Sequence, residues 1–201
     1  MKRIILPIVM LVLVSFTSET FKLTDAEREM AVKELVHSQD EMLLALDGLS
    51  EAQLNYKPDD ETWSLAEITE HLAITENGIF GMLEQSLKTP ADPSKRGEVK
   101  MTDEQILGFI EDRSTKVKTS KEMEPSSQFG DFNATLKVFK DSRESHIDYL
   151  KNTDDDLRNH YAQMPFGTLD GLQVVLFMSG HTDRHVQQMH ELMSASNFPE
   201  E

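Results

Sequence analysis

Apolar residues recur at helical spacing along most of the chain, and polar signals mark where each run starts. Thr24-Asp25-Ala26-Glu27 reads as a capping box, with Thr capping the helix and Glu reaching back. The helix it opens is expected to run to about Leu49, with Met30, Leu35, Met42, Leu46 and Leu49 among its apolar positions. Asn55 to Thr62, with Pro58-Asp59-Asp60, reads as a loop. Ser64-Leu65-Ala66-Glu67 is a second capping box, and Leu65, Ile68, Leu72, Ile79 and Leu83 form one stripe of a helix to about Leu87. Thr102 opens a third, more polar helix that fades near Lys121, and Pro125 to Gly130 breaks it. A further helix is expected over Asn133 to Lys151. Asp154 to Gly167 reads as irregular, and a long last helix as Leu169 to Ala195. Strand-like alternation is scarce, so the expected fold is all-α, a four-helix bundle with one additional helix.

The first nineteen residues fall outside that pattern. Lys2 and Arg3 precede an apolar run from Ile4 to Phe16, and Thr17, Ser18 and Thr20 follow. This order describes a secretory signal peptide. The run is shorter than the about 20 residues a spanning helix needs. The reading is an exported protein, periplasmic or extracellular, cut near Thr17 to Glu19, with residues 20–201 as one domain and an uncleaved anchor as the other possibility. After signal removal, no stable membrane association is expected.

Composition narrows the chemistry. With no cysteine, disulfides, thiolate metal sites, cysteine nucleophiles and lipid-anchored lipoproteins are excluded. The formal charge of −16 repels nucleic acid and anionic lipid, so neither is an expected partner. No glycine-rich phosphate loop is present.

Leu172, Val174, Val175, Leu176, Phe177 and Met178 are apolar all round the helix, which implies a buried central helix. His181-Thr182-Asp183-Arg184-His185 follows directly. Positions i and i+4 lie about 40° apart, so His181 and His185 can aim two imidazoles at one point. His190 lies roughly 140° round the helix from His185 and faces elsewhere. The motif is not HExxH, because residue 182 is Thr, and the general base of that motif is missing. Two buried histidines bonded to neighbouring helices would give the same spacing. A third ligand would decide between the readings, and His71, at the edge of the second helix's apolar stripe, is the candidate.

Trp63-Ser64-Leu65-Ala66-Glu67-Ile68, followed by His71-Leu72 and preceded by Leu49 to Pro58, resembles the DinB/YfiT-like superfamily. So do His181, Arg184, His185 and Gln188 in the last helix and the step Pro165-Phe166-Gly167 before it. The resemblance spans about Thr24 to Ala195. It implies a four-helix bundle with a divalent metal held by His71, His181 and His185, and an open coordination position. Zinc is placed first because no redox partner residue is visible; nickel, iron(II), manganese or cobalt would also suit. Relatives of this kind include thiol transferases, a thiol-dependent isomerase and metal-dependent hydrolases, and dimers are common among them. The implied function is a metal-dependent hydrolase or transferase acting on a small-molecule substrate. A non-catalytic metal-binding or stress-associated bundle is the alternative. The thiol-dependent relatives are cytoplasmic, so export sets a thiol co-substrate in question.

The remaining polar and aromatic residues near these motifs also fit ordinary structural roles. Glu67 could orient His71 or face the metal, but is read first as the capping-box glutamate. Gln188, one turn past His185, could orient it. Asp183 and Arg184 point to other faces, as a surface or interhelical pair. Trp63 reads as a packing anchor. His37, His146 and His160 read as solvated, and Asp154-Asp155-Asp156 as a solvated loop lacking the glycine and glutamate of an EF-hand.

Overall fold

The computed structural model describes residues 22–114 and 118–200. The expected signal segment lies outside them. Six α-helices follow in order: α1 (Asp25–Leu46), α2 (Glu51–Leu54), α3 (Leu65–Leu87), α4 (Asp103–Glu111), α5 (Phe132–Asn152) and α6 (Gly171–Met193). The capping boxes at Thr24, Ser64 and Thr102 all form. Each satisfies amide groups that a helix start leaves unpaired.

Four long helices make the bundle, and the order of their apolar residues sets its topology. One cluster joins Ala31 and Leu35 of α1, Ile79 and Leu83 of α3, Ile147 and Leu150 of α5, and Leu172 with Val174 to Met178 of α6. The other joins Met42 and Leu46 of α1, Leu65, Ile68 and Leu72 of α3, Phe139 of α5, and Val186, Met189 and Leu192 of α6. The first cluster therefore takes the N-terminal halves of α1 and α6 and the C-terminal halves of α3 and α5. It follows that α1 and α6 run parallel to each other, and that α3 and α5 run together the opposite way. Contacts run α1 to α6, α6 to α3, α3 to α5 and α5 to α1, so each parallel pair is adjacent. Short antiparallel hairpins cannot connect such a bundle, and long crossings do so instead. The crossing between α3 and α5 contains α4, which lies along α6.

Between the two apolar clusters sits a polar belt. Arg143 on α5 is fully buried and spends all five N–H donors. It donates to both carboxylate oxygens of Glu76 (2.7 and 2.8 Å), to the Leu35 carbonyl, to Ser38 Oγ and to Thr182 Oγ1. His146 contacts the same Glu76 through Nδ1 at 3.0 Å and stacks on Phe80 at 3.8 Å between ring centroids. Burial pushes the Glu76 carboxyl up, but the Arg143 charge and hydrogen bonds outweigh it and hold the carboxyl below its usual range. A buried charge is tolerated only when paired in this way.

Several expectations need correction. α1 stops at Leu46, three residues early: Asp47 leaves the helix in an extended conformation (φ −67, ψ 133), and Gly48 follows at φ +71 as the positive-φ glycine of a type II turn does. A new capping box, Ser50 with Gln53, then starts α2. α4 ends at Glu111 rather than near Lys121. The end of the stretch read as irregular and the first residues expected in the last helix instead form an antiparallel hairpin, β1 (Tyr161–Met164) with β2 (Gly167–Asp170). Gly167, at φ +143, closes its turn. Asp170 caps α6, so the helix starts at Gly171 and not Leu169. His146 is buried, not solvated. His160 is half-buried, its two ring nitrogens against the carbonyls of Asp156 and Thr89. Asp156 is buried and caps the 3-10 turn Leu157–Asn159, while Asp154 is exposed and pairs with Lys22. No helix among the described residues is long and apolar enough to cross a membrane.

Candidate metal centre

α3 and α6 pack side by side in opposite directions, and that contact brings residues 110 apart together. One ring nitrogen from each of His71, His181 and His185 lies within 4.8 Å of the others. The ring centroids are 4.6 to 5.2 Å apart. His71 and His185 are buried, and His181 keeps part of its surface accessible. This is the only such histidine or carboxylate group among the described residues.

Hydrogen bonds decide which nitrogen each ring can offer. The Nδ1–H of His71 donates to the Met123 carbonyl at 2.7 Å. A carbonyl can only accept, so the proton sits on Nδ1 and the lone pair on Nε2. The Nδ1–H of His185 donates to Gln188 Oε1 at 2.9 Å, with the same result. Metal-binding histidines typically have their second nitrogen tied to an acceptor like this. Gln188 is thus found where an orienting residue is needed. Met123 could not be foreseen, since a backbone carbonyl leaves no mark in sequence.

Electrostatics keep the rings neutral. Burial pushes the His71 imidazole below its ordinary range, although the Met123 bond works against this. Burial and the neighbouring His71 push His185 down to about 3. Burial, then His185 and His71, push His181 well below its ordinary value. Neutral imidazole is the form that ligates a cation. Three nitrogens on a zinc ion at about 2.0–2.1 Å would stand closer together than 4.8 Å, which small side-chain rotations can supply. The donor set fits a divalent cation of the zinc type.

The other candidates separate cleanly. Glu67 completes the capping box with Ser64 and pairs with Lys57 at 3.0 Å. Trp63 packs its ring 5.0 Å from that of His71. Asp183 faces a different groove, shared with Glu34, His37, Glu111 and His190. Burial and the Glu111 charge push its carboxyl up to about 6. Arg184 donates to the carbonyls of Ile110 and Asp112 and so ties α6 to the end of α4. His37 and His190 are exposed.

A helical bundle with adjacent parallel pairs and three convergent histidines defines a class of candidate metalloproteins. The family model of the DinB superfamily matches residues 34–189, and the chain belongs to that family. It is similar to the protein YuaE of Bacillus subtilis (strain 168), with 29% identity over 150 residues covering 73% of this chain and 87% of YuaE. It also shares its fold with YfiT of Bacillus subtilis, at a TM-score of 0.56 and 15% identity. That match covers 85% of this chain and 88% of YfiT, which is described as a probable metal-dependent hydrolase with an unusual four-helix bundle topology.

Proposed function

We propose that this protein is a metal-dependent hydrolase whose divalent cation, zinc first, is held by His71, His181 and His185. The observation that carries the reading is the convergence of three neutral imidazoles, two of them with Nδ1–H directed away onto Met123 and Gln188. A cation bound by three neutral ligands supplies Lewis acidity, an open position and a water ionised near neutral pH. The fold's own residues do the rest. Met123 and Gln188 orient the rings, and α3 and α6 enclose them in a low-dielectric setting. Among the described residues no carboxylate joins the group as a fourth ligand, which favours an open site over a closed structural one. The YfiT description supports hydrolysis over group transfer. Export by the N-terminal signal is part of the proposal and rests on the sequence alone.

The test is a panel of ester, amide and phosphoester substrates, assayed with the purified zinc-loaded protein. The expected result is turnover of at least one class that is lost on chelation, returns with zinc, and is absent in His181→Ala/His185→Ala. Turnover that survives both chelation and the double substitution would contradict the proposal.

A further inference from the structure

The orientation of His71 depends on a segment that reaches it from elsewhere in the chain. Residues 121–128 lie against α3, and three contacts hold them. The Met123 carbonyl accepts from His71 Nδ1–H. The Met123 side chain lies over Gly78, where an added Cβ would stand 3.2 Å from its terminal methyl. The third contact is the carboxylate of Glu70, which is buried at 6% exposure and accepts the backbone N–H groups of Ser127 (3.0 Å) and Gln128 (2.8 Å).

Ser127 is the one non-glycine residue among those described with positive φ, at +58. That conformation is unfavourable for a residue with a side chain. It turns two successive N–H groups to one side, making a small nest for an anion. Glu70 fills the nest. A buried carboxylate needs such donors, and the strained turn needs such an acceptor. Glu70 immediately precedes His71, so the residue that fixes the segment and the residue the segment orients share one turn of α3.

We propose that Glu70 is a positioning residue for the histidine centre: by holding residues 127 and 128 it seats the 121–128 segment, so that the Met123 carbonyl keeps His71 in the Nδ1–H tautomer with Nε2 turned toward His181 and His185. The consequence for metal affinity rests on the proposed function. The tautomer of the metal-free protein does not.

Two measurements on tag-free protein separate these. Long-range proton–nitrogen NMR reads the tautomer of His71 in metal-free protein, and competition with a chromophoric chelator reads the zinc dissociation constant. The wild type is expected to show His71 as a single Nδ1–H tautomer. Glu70→Ala is expected to show a mixture of tautomers and zinc binding weakened about tenfold, the lower end for loss of an orienting partner. Glu70→Gln should fall between, since its amide oxygen still accepts an N–H. Thr24→Ala, which removes the α1 cap far from the site, should lower the melting temperature and leave tautomer and affinity unchanged. If Glu70→Ala does not fold, Glu70→Gln carries the test by the same criteria. A folded Glu70 variant with the wild-type tautomer would overturn the proposal. A shifted tautomer in a protein whose wild type binds no zinc would uphold the positioning role and overturn the metal reading.

Discussion

Asp183 and His185 stand two positions apart on one helix, and burial moves both toward the neutral form. For Asp183 this means a carboxyl pushed up to about 6. The folded protein therefore binds more protons here than the unfolded chain between about pH 4 and 6, and stability falls as pH rises through that window. Asp183→Asn should stabilise the protein at pH 7 by on the order of 1 kcal/mol, a figure reduced for partial solvent screening. Urea melts at pH 7 and pH 4 test this; the gain should vanish at the lower pH. The histidines act in the other direction. Their folded values lie below about 6.5, with His185 at about 3, so the metal-free fold binds fewer protons than the unfolded chain. Its stability should fall as pH drops below about 6.5. In His181→Ala/His185→Ala the loss in urea midpoint between pH 6.5 and 5 should be smaller. An equal loss would place the titrating groups elsewhere. The histidines themselves were legible, because i and i+4 spacing on an apolar helix can be read directly. Glu70, Met123 and the buried His146 were not, since their partners lie 52 to 70 residues away in sequence.

At the level of elements, the start of a helix was easier to read than its end. Thr24, Ser64 and Thr102 carry their caps within four residues, so local sequence decides them. Ser50-Glu51-Ala52-Gln53 carries the same signal and marks α2, which lies between the helix expected to about Leu49 and the loop expected from Asn55. The hairpin of β1 and β2 has only four residues per strand, and packing against α3 and α6 decides it. The placement of α4 depends on Gly180, where an added Cβ would collide with the Ile110 side chain. Gly180→Ala should cost about 1–3 kcal/mol by forcing α4 off α6. Adding Ile110→Ala should give a total below the sum of the two single effects; strict additivity would show that the helices do not touch there. The polar belt holds the four long helices in register. Arg143→Ala should cost about 3–5 kcal/mol in a denaturant melt, because it leaves Glu76 buried and unpaired. A loss under about 1 kcal/mol would contradict the role given to the belt.

For the whole molecule, the belt and the site are neighbours. Thr182 bonds Arg143 and sits beside His181, so the network that aligns the helices also sets the height at which α6 presents its two histidines to α3. The all-α class followed from periodicity, but the parallel pairing of α1 with α6 did not. Topology depends on which apolar halves meet, and no single helix specifies that. The proposed function requires that His71, His181 and His185 together hold a divalent cation. Elemental analysis of tag-free protein, beside His71→Ala and His181→Ala/His185→Ala, tests it most directly. About one equivalent of metal per chain in the wild type, lost in both variants, is the predicted result. A wild type that stays free of metal after incubation with zinc, nickel or iron(II), or variants that keep the full equivalent, would contradict it.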